Sequence, residues 1–169
     1  LFRSVRGYSV PTTETGRVAL QPLMLGYGFD AHERNGKLVF RTRNGRLDAE
    51  LDDDFLARAS DETAAKDVLR APQSELTGKV RLGFIEADAD YGVRASEAVW
   101  PDERATTATK SDLNIALTDG EAQKTVERWL SEARLERDSV HFALPLSMAH
   151  LGPGDVVSFR GMGSGARYR

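Results

Sequence analysis

The stretch 118–136 constrains the fold most strongly, because it carries both the start signal and the period of a helix. Thr118 and Glu121 stand three residues apart, the spacing of a capping box in which each side chain bonds the backbone of the other residue. The positions that follow place apolar side chains on one helical face, namely Ala122, Val126, Trp129, Leu130 and Ala133. We therefore expect an amphipathic helix whose core stripe packs against a sheet, with Trp129 mostly buried against the strands around 80–84 and 140–144.

Alternating polar and apolar residues lie on both sides of this helix and predict half-buried strands. They fall at 79–86, 93–99, 113–117, 140–144 and 156–159. Residues 101–112 are polar and are predicted to be a connection. Because strands outnumber helices and most links between them are short, we expect an antiparallel α+β fold.

The N-terminal part predicts a small helix–hairpin unit. A helix fits within residues 9–28, starting after Thr12 or Thr13 and ending at Gly26 or Gly28. Pro22 removes a helical hydrogen bond unless it lies in the first turn. Asn35 and Gly36 between two short apolar runs indicate a type I′ hairpin.

The acidic stretch 48–71 leaves its structure open. Asp52–Asp54 followed by Phe55 and Leu56 fits a helix start, whereas 60–69 fits a helix or a strand. We therefore divide the chain into a helix–hairpin unit at 1–47, a connecting segment at 48–78 and a main domain at 79–169. Because the chain starts without methionine and stops without a closing element, we expect it to be part of a longer polypeptide.

Composition excludes several classes of chemistry. The 169 residues include no cysteine, which excludes disulfides, thiolate metal sites and cysteine nucleophiles. The net charge of −3 argues against a nucleic-acid-binding domain with a basic face. No apolar run approaches the roughly 20 residues that span a bilayer, so we expect no stable membrane insertion.

The candidate metal-binding residues lack a ligand pattern. The three histidines His32, His141 and His150 show no HxH or HExxH spacing. The acidic stretch Asp52–Asp54, with Asp48 and Glu50 nearby, lacks the glycine and distal glutamate of a calcium loop. We expect surface or partly buried histidines, a solvated acidic loop, and no metal or cofactor.

Catalytic patterns are equally weak. Glu86, Asp88 and Asp90, with Glu97 on the next predicted strand, fit either the end of a strand or a pair of carboxylates for glycoside hydrolysis. Such a pair must lie roughly 5–10 Å apart across a sugar cleft, which spacing alone does not establish. We favour the strand-end interpretation and expect no catalytic residue.

Other conspicuous residues have ordinary explanations. Ser147 lacks the GxSxG context of a nucleophile elbow. The glycines Gly161, Gly163 and Gly165 do not stand between a strand and a helix, and fit a flexible turn better than a phosphate loop. Trp100 and Trp129 fit core or interface positions better than ligand platforms.

The sequence LGPGDVVSF at 151–159 predicts a firm turn before a strand. Proline presets φ at the second turn position and glycine accepts a positive φ at the third, so Pro153, Gly154 and Asp155 form a structural turn.

Three ordered segments carry a resemblance to a known family. They read RVALQPLMLGYGFDAHERNGKLVFR (17–41), RAPQSELTGKVRLGFIEADADYGVRASEA (70–98) and TDGEAQKTVERWLSEARLERDSVHFALPLSMAHLGPGDVVSF (118–159). Together they resemble the phage tail protein region, or baseplate hub, of the large tail-tip protein of gene transfer agents and related siphophages. No single motif is diagnostic, but the ordered set of three is specific.

The resemblance implies a structural, non-enzymatic role. It implies a homotrimeric hub around the tail axis that joins tail tube to tip and contacts distal tail and hub proteins, with DNA only in transit. It also implies a tube-type β-barrel flanked by one helix, in which Pro153–Asp155 forms a barrel corner. The location implied is the virion tail tip, after assembly in the cytoplasm.

The residues and the resemblance together leave two questions open. Glu86, Asp88 and Asp90 are either neighbours of a channel lumen or ordinary solvated loop residues. The alternative function is a carbohydrate-binding or cell-wall-degrading tail-tip domain, which an exposed aromatic platform or a paired-carboxylate cleft would favour.

Overall fold

The computed structural model describes residues 4–58, 64–72, 75–101, 107–160 and 167–169. These residues form two α-helices and nine β-strands, with two short 3-10 helices at Asp53–Phe55 and Leu146–Met148. The elements are α1 (Gly16–Tyr27), β1 (Phe29–Arg34), β2 (Lys37–Thr42), β3 (Ala49–Leu51), β4 (Lys66–Arg70), β5 (Thr77–Glu86), β6 (Val93–Val99), β7 (Thr107–Leu117), α2 (Asp119–Leu135), β8 (Asp138–Phe142) and β9 (Val157–Phe159).

The chain folds into two compact units, each built from two separate stretches of sequence. Unit 1 contains the residues up to Ala31 together with Ala71–Arg137, and unit 2 contains His32–Arg70 together with Asp138–Arg169. The three consecutive segments expected from the sequence, 1–47, 48–78 and 79–169, follow a different division and stay a prediction.

Unit 1 is a three-stranded sheet with α2 packed on one face. The strand order is β6–β5–β7, and β5 pairs with β6 antiparallel and with β7 parallel. Side chains alternate across the sheet, so Val80, Leu82 and Phe84 of β5 face α2 and are almost completely buried. The apolar stripe of α2 closes this core from the other side.

The α+β class is confirmed, but the expectation of a purely antiparallel fold is wrong. Both β5–β7 and β3–β9 are parallel pairs. Alternation along a strand reveals which side chains are buried and carries no information on strand direction, so the two arrangements look alike in the sequence.

The prediction that residues 101–112 form a connection is also wrong for its second half. Residues 102–106 lie outside the described part of the chain, but β7 already begins at Thr107. The first six residues of β7 are exposed or half-buried, so this part of the strand shows no apolar alternation and resembles a connection.

The helices start and end through identifiable caps. The Thr118–Glu121 capping box is present, with the Glu121 N–H donating to Thr118 Oγ1 at 3.2 Å and the Thr118 N–H donating to Glu121 Oε2 at 3.0 Å. In α1 the N-cap is Thr15, not Thr12 or Thr13, and Gly28 ends the helix in a left-handed conformation. Pro22 lies inside this helix rather than in its first turn.

Unit 2 consists of three small strand pairs around a modest core. From His32 onward, the β1–β2 hairpin belongs to this unit, with Asn35 and Gly36 both at positive φ. The parallel pair β3–β9 and the antiparallel pair β4–β8 complete it. In the acidic stretch 48–71, whose structure the sequence left open, Asp52 caps the short 3-10 helix. Residues 60–63 lie outside the described part of the chain, and Lys66–Arg70 form strand β4.

The core of unit 2 is small. Its buried members are Leu51, Leu56, Val157 and Phe159, and half-buried residues such as Phe142 and Tyr168 pack around them. Phe159 contacts both rings edge-on, at centroid distances of 5.1 and 5.9 Å. The sheets formed by the described residues do not close into a barrel.

Candidate functional site

The turn predicted from Pro153 and Gly154 is present at the start of β9. The Asp155 N–H donates to the Gly152 carbonyl at 3.1 Å. Gly154 has φ +85°, and a Cβ there would clash with the His32 ring, so only glycine fits this position. The turn delivers the chain to Val156 and then to β9.

The carboxylate of Asp155 is the centre of an ionic cluster that the sequence did not predict. Its side chain is only 7% exposed. One oxygen accepts from Arg34 Nη2 at 3.0 Å and from the Gly152 N–H at 2.9 Å, and the other accepts from Arg41 Nη1. Strands β1 and β2 are thereby fastened to the turn through a single carboxylate.

Asp48 extends this cluster toward β3. Arg41 Nη2 donates to Asp48 Oδ1 at 2.7 Å, and the Val156 N–H donates to Asp48 Oδ2 at 2.8 Å. We call Arg34, Arg41, Asp48 and Asp155 the turn cluster. It joins four segments that lie up to 121 residues apart in sequence.

The turn cluster favours the ionised form of both carboxylates. The hydrogen bond from Val156, followed by that from Arg41, lowers the pKa of Asp48. Burial by itself would raise the pKa of Asp155, but hydrogen bonds and charge from Arg34, the Gly152 N–H and Arg41 outweigh it and lower that pKa. Hydrogen bonding to Asp48 raises the pKa of Arg41.

The predicted stripe of α2 lies in the core of unit 1. Ala122, Val126 and Leu130 are buried, and Trp129 is half-buried against the same core. Thr125, which the sequence analysis did not select, is also buried, and its hydroxyl bonds to the carbonyls of Gly26 and Glu121.

The predicted packing of Trp129 needs a correction. We expected it to pack against both 80–84 and 140–144, but Val140, Phe142 and Leu144 belong to the core of unit 2. Their alternation marks a strand and does not reveal which core the strand joins.

The acidic residues at the end of β5 and on β6 lie in different surroundings. Glu86 is buried and forms an ion pair with Arg94. Glu97 pairs with Lys79 at 2.9 Å, and the strand alternation places Glu86 and Glu97 on opposite faces of the sheet. Asp88 and Asp90 lie exposed in the β5–β6 turn.

The remaining candidates also lie apart from one another. Among the described residues, no three His, Cys, Asp or Glu side chains are placed to hold a metal ion. His141 and His150 are exposed, and His32 packs against Gly154 with its Nε2 buried and unpaired within the described part of the chain. Ser147 is exposed in a 3-10 helix. Gly161, Gly163 and Gly165 lie outside the described residues.

Neither helix in the described part of the chain is long and apolar enough to cross a bilayer.

Among the described residues, no strand pairs with the outer side of β6, which forms an open edge of the sheet in unit 1. The Trp100 N–H donates to the Gly78 carbonyl at 2.8 Å and the Glu86 N–H to the Gly92 carbonyl at 2.9 Å. Antiparallel ladders alternate between bonded and unbonded pairs, so the residues at even positions in β6 face β5. The backbone groups of Val93, Ala95, Glu97 and Val99 therefore point away from the sheet.

Apolar side chains accompany this open backbone. Val93 is 85% exposed and Val99 is 61% exposed. An exposed edge with unpaired N–H and C=O groups is a template for pairing with another strand. The opposite edge, β7, is bridged near its C-terminal end by residues 7–9, through Ser9 N–H to the Asn114 carbonyl and Ala116 N–H to the Gly7 carbonyl.

The chain is similar to a family of phage tail proteins and to a chain of a phage-like particle. A family model described as "Phage-tail_3: Putative phage tail protein" matches residues 15–169. A chain in the solved structure "Virion of native gene transfer agent (GTA) particle" is 48% identical, with a TM-score of 0.90. That match covers 100% of this chain and 38% of the chain in the particle, so the present sequence spans well under half of that relative.

A second solved structure is more distant. The prophage tail protein gp18 from Listeria monocytogenes EGD-e matches with 17% identity and a TM-score of 0.40, over 89% of this chain and 44% of that one. No protein with a curated description matches the sequence.

Proposed function

Because the chain belongs to the putative phage tail protein family, we propose that it is a structural component of the baseplate hub of a gene-transfer-agent-like tail, joining tail tube to tail tip. The observation that carries this proposal is the 48% identity, over the whole of this chain, to a chain of a gene transfer agent virion. A structural tail role agrees with a fold that offers an open strand edge at β6.

We propose that three copies surround the tail axis and that their sheets join into a tube-type barrel. Strand β6 runs antiparallel to β5 and β7 runs parallel to it. In a ring of like-oriented copies, β6 of one copy therefore lies antiparallel beside β7 of the next. Cyclic symmetry requires such a heterologous contact between two different surfaces. The outer edge of β6 and the part of β7 before Asn114, which lies beyond the bridge with residues 7–9, supply it.

The face opposite α2 would then border the channel. It carries charges of both signs, including the ion pairs Lys79–Glu97 at 2.9 Å and Lys110–Asp112 at 3.5 Å. Mixed charges give a surface without strong attraction for phosphate, which suits DNA that only passes through. Asp88 and Asp90 in the exposed β5–β6 turn would lie at one rim, whereas Glu86 lies on the α2 face of the sheet, paired with Arg94.

A position around the tail axis also implies which partners the chain has, where it is located and what the Pro153–Asp155 turn does. The partners are other tail proteins, such as distal tail and hub proteins. The location is the tail tip of the particle, assembled in the cytoplasm. Pro153–Asp155 would form a corner of the hub fold, and the chain would act without catalysing a reaction.

The decisive experiment blocks the open edge without disturbing the fold. In the full-length protein within producing cells, Ala95→Pro removes an outward-pointing N–H and places a ring on the edge, where proline is tolerated because it breaks no internal bond. The matched control Ala95→Ser keeps the N–H. We expect particles without complete tail tips for Ala95→Pro and normal particles for the control, by electron microscopy.

Two results would overturn the proposal. One is normal tails with Ala95→Pro. The other is a particle map in which this chain sits away from the tail axis. Release of sugars from cell-wall glycans by the purified chain, abolished by Glu86→Gln or Glu97→Gln, would instead favour an enzyme.

A further inference from the structure

The β1–β2 hairpin is attached to unit 2 in an unusual way. No residue of Phe29–Thr42 belongs to either apolar cluster of the described chain. The unit 2 part of the hairpin contacts the turn through two arginines and through His32, which packs against Gly154. Arg34 donates to Asp155 and to the His150 carbonyl, and Arg41 donates to Asp155 and Asp48.

Asp155 is the shared anchor of these contacts. Its carboxylate is almost fully shielded, whereas the side chains of Arg34 and Arg41 are 38% and 32% exposed. If the carboxylate lost its charge, both guanidinium groups could leave it for water, to which they are already partly exposed. The turn itself would keep its internal Asp155 N–H to Gly152 carbonyl bond.

Release of the hairpin would expose little additional apolar surface. Leu38 and Phe40 share one face of β2 and are already 56% and 55% exposed. On the other face of β2, Val39 is half-buried next to Arg41 in the alternation. The hydrophobic effect scales with the apolar area removed from water, so it gives this hairpin only a weak hold.

The groups that face Asp155 come from three neighbouring segments. Arg34 comes from β1, Arg41 from β2 and Asp48 from the segment before β3. His32 of β1 packs against Gly154 in the same turn, with Nε2 buried.

We propose that the hairpin segment His32–Thr42 is a detachable arm, latched to the Gly152–Asp155 turn by the ionised carboxylate of Asp155. When this carboxylate is neutral, the arm leaves the turn while the apolar core of unit 2 stays folded. The inference is independent of the proposed function, because it depends only on contacts within unit 2.

The absence of cysteine in the sequence allows a direct test. Spin labels are attached to the 169-residue chain after Lys37→Cys and Leu146→Cys, both at exposed positions of unit 2. Double electron–electron resonance measures the distance between hairpin tip and reference. We expect one narrow distribution in the parent and, after Asp155→Asn, a second broad population that accounts for more than half of the molecules.

A matched control separates the latch from a general loss of charge. Asp53→Asn removes another unit 2 ion pair, Asp53–Lys66 at 2.5 Å, and should leave the distance distribution unchanged. Amide hydrogen exchange in β8 is followed in the same samples and should change by less than twofold. If Asp155→Asn does not fold, Arg41→Gln removes part of the latch and should give a smaller released population.

Three outcomes would contradict the proposal. An unchanged distance distribution in Asp155→Asn would show that the arm does not depend on this carboxylate. Equal release in Asp53→Asn would show that any lost charge suffices. Loss of β8 protection together with hairpin release would show that the turn cluster is part of the folding core rather than a latch.

Discussion

Unit 1 and unit 2 are stabilised by different kinds of contact. In unit 1, a sheet and a helix enclose a continuous apolar core in which Val80, Leu82 and Ile115 are completely shielded from solvent. In unit 2, four buried apolar residues form a smaller core, and the turn cluster fastens the hairpin to the Gly152–Asp155 turn. Apolar burial depends little on pH, whereas ion pairs require their charges, so the two units should respond to different perturbations.

The largest loss of unfolding free energy should come from truncating a buried side chain in the core of unit 1. Phe84→Ala removes a side chain that is 1% exposed and leaves a cavity, which typically costs about 3–5 kcal/mol. Both tryptophans of the sequence, Trp100 and Trp129, lie in unit 1. Denaturant unfolding followed by tryptophan fluorescence therefore reports on this unit.

Trp129→Ala sharpens this prediction from within the same unit. Trp129 is only half-buried, so its loss should cost less than the loss of Phe84. Trp100 still reports unfolding in that variant. If Trp129→Ala proved the more costly change, the core of unit 1 would be centred on the helix rather than on β5.

The second-largest loss of stability should appear in unit 2. Asp155→Asn removes charge-assisted hydrogen bonds to two arginines, and such bonds contribute about 1.5–3 kcal/mol. Because both arginines are about one-third exposed, we expect the lower half of this range. Hydrogen exchange of hairpin amides should detect the change while tryptophan fluorescence does not, and a shift in fluorescence of equal size would remove the distinction between the units.

The difference between the units also explains what the sequence could predict. Unit 1 is built from periodic patterns, since the stripe Ala122–Leu130 and the alternation at 79–86 each show which residues are buried. Those patterns were sufficient to predict α2, β5 and β6. They did not predict that β7 starts at Thr107, because that part of the strand is exposed.

Unit 2 was much harder to predict, for a physical reason. Pro153 and Gly154 were sufficient to predict the turn, because the turn preferences of these residues are local. The partners of Asp155, Arg34 and Arg41, lie 121 and 114 residues away, and an ion pair leaves no period in the sequence. The only available signal was a lone aspartate after a Pro-Gly turn, which is common in surface loops.

The pH dependence of unit 2 should follow the carboxylates of the turn cluster. The pKa values of Asp48 and Asp155 are lower in the folded chain than their usual values. The stability that they contribute is therefore complete above the unfolded-state pKa of about 3.9 and is lost as the pH falls through the lower, folded pKa values.

The Asp155→Asn variant tests this dependence directly. The stability difference between parent and variant should be constant at neutral pH and shrink below about pH 4, where the unfolded carboxylate takes up a proton. Urea unfolding monitored by hairpin exchange at a series of pH values measures it. A difference that grew on acidification would mean that the folded carboxylate is protonated more readily than the unfolded one.

A smaller effect is expected at the start of α2. Thr118→Ala removes the side chain that accepts the Glu121 N–H, and loss of such a cap costs about 1 kcal/mol. Thr118→Ser keeps the hydroxyl and should preserve most of the stability. An effect confined to unit 1 fluorescence would agree with the placement of α2, whereas a loss above about 2 kcal/mol would mean that Thr118 does more than cap the helix.

The smallest effect on stability is expected on the face opposite α2. Glu97→Gln removes one partner of an exposed ion pair with Lys79, and exposed pairs contribute about 0–1 kcal/mol. The unfolding free energy of the isolated chain should therefore change by less than about 0.5 kcal/mol. If the same variant impairs tail assembly, the cause lies in contacts with neighbouring subunits, because the fold of unit 1 is intact. A loss of more than about 1.5 kcal/mol in the isolated chain would show instead that this face is packed within the chain and is not free to border a channel.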